Sequence, residues 1–137
     1  MPRRWYGSGA AAGVVAVAVL TSCGATSGRS DRVTEDVTRF ESALRAGRHA
    51  YLCAALAPST RQELEQSAGS RCEQAVGEQK LPPAGAVRGV EVYGGQARVV
   101  LEHDTVFLAR FPTGWKVTAA GCRPRPRQPY QCEIKGG

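Results

Sequence analysis

The chain has two histidines, and His103-Asp104 sets one of them beside a carboxylate. Such a pair can relay a proton when both side chains reach the same substrate. Neighbouring residues of a strand point to opposite faces, so the two converge only if they sit in a turn. His49 follows Arg48 at the start of a helical stretch, where a solvated or capping role is its ordinary use. Glu63, Glu65 and Glu73 fall on helical surfaces among basic residues and read as a solvated face. No Gly-x-Ser-x-Gly elbow, phosphate loop or His-Glu-x-x-His helix occurs. No catalytic residue and no cofactor is expected.

The five cysteines carry sharper chemistry. Residues 1–22 contain Arg3 and Arg4, an apolar run from Ala10 to Leu20 and then small residues, the three parts of a secretory signal. A run of about eleven residues is too short to cross ~30 Å of hydrocarbon as a helix. Arg3-Arg4-Trp5 touches the twin-arginine pattern without its wider consensus, so the general secretory route is expected. Leu20-Thr21-Ser22-Cys23 closes the segment. It resembles the lipobox of bacterial lipoproteins. The resemblance implies that Cys23 takes a diacylglyceryl thioether and becomes the mature N-terminus; a cut nearby that leaves a free thiol is the alternative. Each buried CH₂ contributes about 0.8 kcal/mol, so two or three acyl chains hold a protein on a membrane where one does not. Residues 24–30, GATSGRS, read as a flexible tether of small polar residues.

With Cys23 assigned to lipid, Cys53, Cys72, Cys122 and Cys132 remain. An even number in an exported domain reads as two disulfides. Three pairings are open. Cys53–Cys72 and Cys122–Cys132 are favoured because each joins sequence neighbours across a turn-rich segment, and each closure contributes about 2–3 kcal/mol on the chain-entropy account. No Cys-x-x-Cys pair occurs, so a zinc site is not expected.

The elements that must position these groups follow from periodicity. Ser30-Asp31 offers an N-cap, and Val33, Val37, Phe40 and Leu44 then recur at helical spacing until Gly47. A shorter helix holds Ala50 to Leu56 and stops at Pro58. Ser59-x-x-Gln62 and Ser70-x-x-Glu73 are capping-box patterns that open two further helical stretches, separated by Gly69. Beyond Leu81-Pro82-Pro83 the period changes to two. Val87–Tyr93 and Ala97–Leu101 flank a Gly94-Gly95 hairpin turn. His103-Asp104 reverses the chain again. Phe107 and Phe111 precede a turn at Pro112-Thr113-Gly114, Trp115 and Val117 follow it, and a last strand runs from Tyr130 to Ile134. Helices first and an antiparallel meander of four to five strands after them is an α+β order. The predicted organisation is a signal over residues 1–22, a tether over 23–30 and a single α+β domain over 31–137.

Composition adds limits. Gly and Pro are abundant, at 16 and 8 residues, and aromatics are 7%, so the core is modest and covalent staples help it. The formal charge of +6 includes Arg3 and Arg4, which leave with the signal, and the remaining basic residues are scattered, so nucleic acid is not an expected partner. Fifteen arginines against three lysines is the usage of a high-GC genome, such as an actinobacterium's. Arg123-Pro124-Arg125-Pro126-Arg127 is the one local charge cluster. It reads first as an exposed, proline-spaced loop and second as a contact for anionic headgroups or cell-wall polymers.

Short motifs along residues 31–137 resemble small actinobacterial lipoproteins of the nuclear transport factor two-like (cystatin-like) superfamily. They are Phe40-Glu41-Ser42-Ala43-Leu44, then Cys53-Ala54-Ala55-Leu56-Ala57-Pro58, and last Gly114-Trp115-Lys116-Val117 with Ala119-Ala120-Gly121-Cys122 and Tyr130-Gln131-Cys132. The resemblance implies a cone in which helices and a curved sheet enclose a pocket. Its members include enzymes and binding proteins alike, and no residue here matches the catalytic aspartate and tyrosine of the isomerase-type members. The expected protein is a non-catalytic lipoprotein on the outer face of the cytoplasmic membrane. Its expected partners are the membrane through its anchor, and an envelope protein, a cell-wall polymer or a small apolar ligand. The expected pocket is lined by Tyr51, Phe107, Phe111 and Trp115. A pocket-binding protein or enzyme for a small apolar molecule on the same fold is the alternative.

Overall fold

A computed structural model describes residues 23–136 together with residues 2, 3, 7, 9 and 13. The remainder of the expected signal, including Leu20, Thr21 and Ser22, lies outside the described residues. Four helices precede five strands: α1 (Cys23–Ala46), α2 (His49–Ala55), α3 (Pro58–Ala68), α4 (Cys72–Gly77), β1 (Val87–Tyr93), β2 (Gln96–Leu101), β3 (Thr105–Phe111), β4 (Gly114–Arg125) and β5 (Gln128–Lys135). The strands form one antiparallel sheet in the order β1-β2-β3-β4-β5. The α+β class, the helices ahead of the sheet and two disulfides match the reading of the sequence.

Helix α1 begins earlier than its expected cap. Ser30 does not terminate the helix; its hydroxyl donates to the Thr26 carbonyl at 3.3 Å, and Thr34 and Thr38 donate likewise to Ser30 and Thr34 at 2.9 and 2.8 Å. Hydroxyls that bond back one turn sit inside a helix without breaking it. The stretch GATSGRS, expected as a tether, is therefore helical. Neither capping box forms either. Ala57 and Arg71 occupy the N-caps of α3 and α4, with no side-chain cap bond. Glu65 reaches across instead, its Oε1 accepting the Cys72 N–H at 3.0 Å. At the end of α3 Gly69 adopts φ +64°, the left-handed C-cap that a side chain disfavours.

The core lies between the helices and one face of the sheet. Val33, Val37, Phe40 and Ala43 form the buried stripe of α1, and Leu52, Leu56 and Leu64 come from α2 and its flank and from α3. Leu44 is only partly buried against them. Ala97, Val99, Leu101, Val106, Leu108, Trp115, Val117 and Ile134 answer from the strands. In register, Val99 faces Val106 and Ala97 faces Leu108, so Arg98 and Phe107 occupy the opposite face.

Residues 123–127 do not form the expected loop. Arg123, Pro124 and Arg125 continue β4, Gln128 opens β5, and Arg123 pairs with Gln131 across the ladder. Proline is admitted here because the register shifts between Arg123 and Arg125. The turn is reduced to Pro126-Arg127, with Arg127 at φ 55°.

Candidate functional site

An open cleft of ≈ 1130 Å³ separates residues 28–39 of α1 from the β3–β4 turn. On α1, Arg29, Arg32, Asp36 and Arg39 recur at helical spacing and present one face. The opposite wall is Arg110-Phe111-Pro112-Thr113-Gly114-Trp115, with Gly95 of the β1–β2 turn alongside. The two turns are fastened to each other, since the Arg110 N–H donates to the Gly95 carbonyl at 2.8 Å. Trp115 is buried and also borders an adjoining pocket of ≈ 150 Å³ that holds Tyr51, Ala55 and Lys116. Arg48 lies 5.3 Å from the centre of the Tyr51 ring, and Lys116 Nζ donates to the Ala54 carbonyl at 2.8 Å.

Of the four expected pocket aromatics, Phe111 and Trp115 line the cleft, and Tyr51 shares only the adjoining recess with Trp115. Phe107 does not join them. It stacks edge-on against Tyr130 at 5.1 Å between ring centres, on the sheet face away from the core, and lines a different pocket of ≈ 330 Å³.

The cleft carries an unequal charge. Arg39 is held between Glu35 and Asp36, at 3.6 and 3.8 Å. Partial burial pushes the Asp36 carboxyl up, and Arg39 pulls it back. Arg29, Arg32 and Arg110 form no ion pair among the described residues, and Arg29 Nε is buried without a hydrogen-bond partner. Three uncommitted guanidiniums beside Phe111 and Trp115 suit an anion that carries some apolar surface.

Cys53 bonds Cys72, linking α2 to α4, and Cys122 bonds Cys132 directly across the β4–β5 ladder. Cys23 is the first residue of α1. Among the described residues no group of three His, Cys, Asp or Glu could hold a metal ion.

His103 and Asp104 do not work as a dyad. His103 is exposed, whereas Asp104 is buried and engaged with the backbone. Its Oδ1 accepts the N–H groups of Thr105 and Cys122 at 2.6 and 2.8 Å, and its Oδ2 accepts that of Gly121 at 3.0 Å. Burial raises the Asp104 pKa and these three donors lower it.

The sequence reading missed Glu41. It is buried on α1, and its carboxyl is pushed up to about 7, first by burial and then by the charge of Asp104, with Arg45 and the Ala84 amide pulling the other way. Its Oε1 has no hydrogen-bond partner. Glu41 borders a pocket of ≈ 180 Å³ with Arg45, His49 and Leu81. The signal was present in spacing: Glu41 follows Val33 and Val37 at intervals of four, on the buried stripe itself.

A scan against protein-family models and searches of curated proteins and of solved structures find no match to this chain.

Proposed function

We propose that this chain is an exported lipoprotein, anchored by acyl chains on Cys23 to the outer face of the cytoplasmic membrane, whose folded domain works by binding in the cell envelope. The observation that carries the reading is the placement of Cys23. It follows Leu20-Thr21-Ser22 directly behind an eleven-residue apolar run, and it stands apart from the four cysteines that pair with one another. Two disulfides in so short a domain suit an oxidising compartment. Helices on one face of a five-strand meander, with a depression between α1 and the β3–β4 turn, are compatible with a cystatin-like cone. Among the described residues no helix is long and apolar enough to cross a membrane.

The cleft beside Trp115 is the binding site in this reading, for it unites a basic wall with aromatic surface. The second reading, a pocket for a small apolar molecule with or without turnover, is favoured by the Tyr51–Trp115 recess. Expression of the full chain in a bacterial host tests the first. Membrane-bound protein whose intact mass includes a diacylglyceryl group, with Cys23 as its first residue, is the expected result. Accumulation of the uncut precursor under a lipoprotein signal-peptidase inhibitor completes it. A soluble product with a free Cys23 thiol overturns it. Native mass spectrometry of the same preparation separates the two binding readings: a retained apolar small molecule supports the second.

A further inference from the structure

We infer that the cleft between α1 and the β3–β4 turn is the face the domain lays on its own membrane, and that Arg29, Arg32 and Arg110 engage the headgroups of anionic phospholipids there. The inference rests on the proposed lipidation of Cys23 and goes beyond it, because an acyl anchor alone does not specify how the domain is oriented.

Orientation follows from the helix. Cys23 opens α1, and the cleft begins at Gly28, five residues on. At 1.5 Å per residue that separation is ~7.5 Å, so acyl chains on Cys23 bring the cleft to headgroup depth. The meander fixes what else lies at that end. The β1–β2 and β3–β4 turns share it, as the Arg110–Gly95 hydrogen bond demonstrates. The β4–β5 turn, with Arg125 and Arg127, lies at the other end of β4. Strand β4 has twelve residues, and at about 3.3 Å per residue its ends stand roughly 35 Å apart. The two basic regions therefore stand at opposite ends of β4, and both reach the bilayer only if the strand lies flat along it, whereas Cys23 stands beside the cleft. The anchor selects the cleft and turns the Arg123–Arg127 tip outward.

Charge selects the occupant. The cleft presents four arginines against Glu35 and Asp36, and those two carboxylates are already engaged by Arg39. Arg29, Arg32 and Arg110 are left to meet phosphate oxygens, while Phe111 and Pro112 offer apolar surface at the depth of the glycerol backbone.

Trp115 makes this measurable. Once residues 1–22 are removed it is the only tryptophan of the chain, and it borders the cleft. Full-length lipidated protein is reconstituted in phosphatidylcholine vesicles containing a headgroup-spin-labelled phosphatidylcholine, with phosphatidylglycerol added in steps. Trp115 fluorescence is expected to be quenched progressively as phosphatidylglycerol rises, and the quenching to be relieved by high salt. Arg110→Gln is expected to raise the phosphatidylglycerol fraction at half-maximal quenching by roughly fivefold, the loss of one arginine at an anionic surface. The triple variant Arg123→Gln/Arg125→Gln/Arg127→Gln is expected to leave it unchanged. Thermal unfolding of each variant shows whether it is folded before quenching is read. Quenching that ignores phosphatidylglycerol, or that falls in the Arg123/Arg125/Arg127 variant and not in Arg110→Gln, overturns the inference. Failure of the anchor reading is distinct: the protein then lacks acyl mass and does not float with vesicles of any composition.

Discussion

Glu41 of α1 and Asp104 of the β2–β3 turn are both buried, and the charge of Asp104 adds to burial in raising the Glu41 carboxyl, one oxygen of which has no hydrogen-bond partner. Arg45 on α1 and the Ala84 amide oppose the effect without cancelling it, and His49 borders the same pocket. The Glu41 carboxyl therefore holds its proton to about 7, against an ordinary 4.5. A folded state that binds the proton more tightly than the unfolded chain is favoured at low pH. Its advantage is complete below about pH 4.5 and is lost as pH rises toward 7. A shift of this size corresponds to about 3 kcal/mol. Denaturant unfolding at several pH values is expected to show stability falling across that window. Glu41→Gln keeps the shape, removes the charge and is expected to abolish the fall, being the more stable protein above pH 7. A wild-type slope of opposite sign, or one retained in Glu41→Gln, refutes the assignment.

Asp104 itself is expected to matter for folding through its three backbone partners. Asp104→Ala strands the N–H groups of Thr105, Gly121 and Cys122. Each stranded donor costs about 1–3 kcal/mol when water cannot replace the acceptor, so a loss of at least about 3 kcal/mol is expected for the three. Asp104→Asn can still accept from Thr105 and Cys122 through one oxygen but sets an amide against the Gly121 N–H, and should fall between. The same Asn variant removes the charge facing Glu41, so the Glu41 carboxyl, followed by carbon NMR, should titrate lower. His103→Ala, at an exposed position, should stay within about 0.5 kcal/mol of wild type. Equal losses at His103 and Asp104 contradict the separation of their roles.

Two features disfavour a side chain at Gly121. It sits at φ +65° within β4, and a Cβ built there comes 2.7 Å from Leu81 Cδ2 and 3.0 Å from Glu133 Cβ. Backbone strain of this kind costs on the order of 1 kcal/mol, and overpacking adds about 1–3 kcal/mol. Gly121→Ala is expected to lower the unfolding midpoint clearly, whereas Gly89→Ala, whose Cβ would meet nothing within 4 Å, should not. Comparable behaviour of the two variants counts against the close packing of Leu81 on β4.

The meander was legible because its alternation is strong: Ala97, Val99 and Leu101 on β2 and Val106 and Leu108 on β3 are buried as their period requires. The stripe of α1 was legible for the same reason, while its start was not. Ser30 and Thr34 favour caps when read locally, yet their hydroxyls found carbonyls one turn back. The extent of β4 was hidden by its prolines, which argue against a strand until a register shift admits them. The site was half legible. Trp115 links the cleft of Phe111 to the recess of Tyr51, but the basic wall comes from residues spaced along a helix whose first turns read as tether. Glu41 was passed over because a carboxylate inside an apolar stripe is taken for an edge residue until burial is known.

The two disulfides differ in what else holds their partners, and this decides which one the fold depends on. Cys122 and Cys132 face each other within the β4–β5 ladder, whose backbone hydrogen bonds keep the strands together without sulfur. Cys53 and Cys72 join two short helices, of seven and six residues, that lie outside the sheet. Helices of this length have no independent stability in water. Loop closure alone predicts similar gains, about 3 kcal/mol each for separations of 19 and 10 residues. The packing difference should therefore dominate the comparison. Cys53→Ala/Cys72→Ala is expected to lose more stability than Cys122→Ala/Cys132→Ala, and to lose it locally first. Hydrogen exchange should show α4 amides unprotected in the former variant, and β5 amides still protected in the latter. Early exchange of β5 with α4 intact reverses the ranking and places the weaker joint in the sheet.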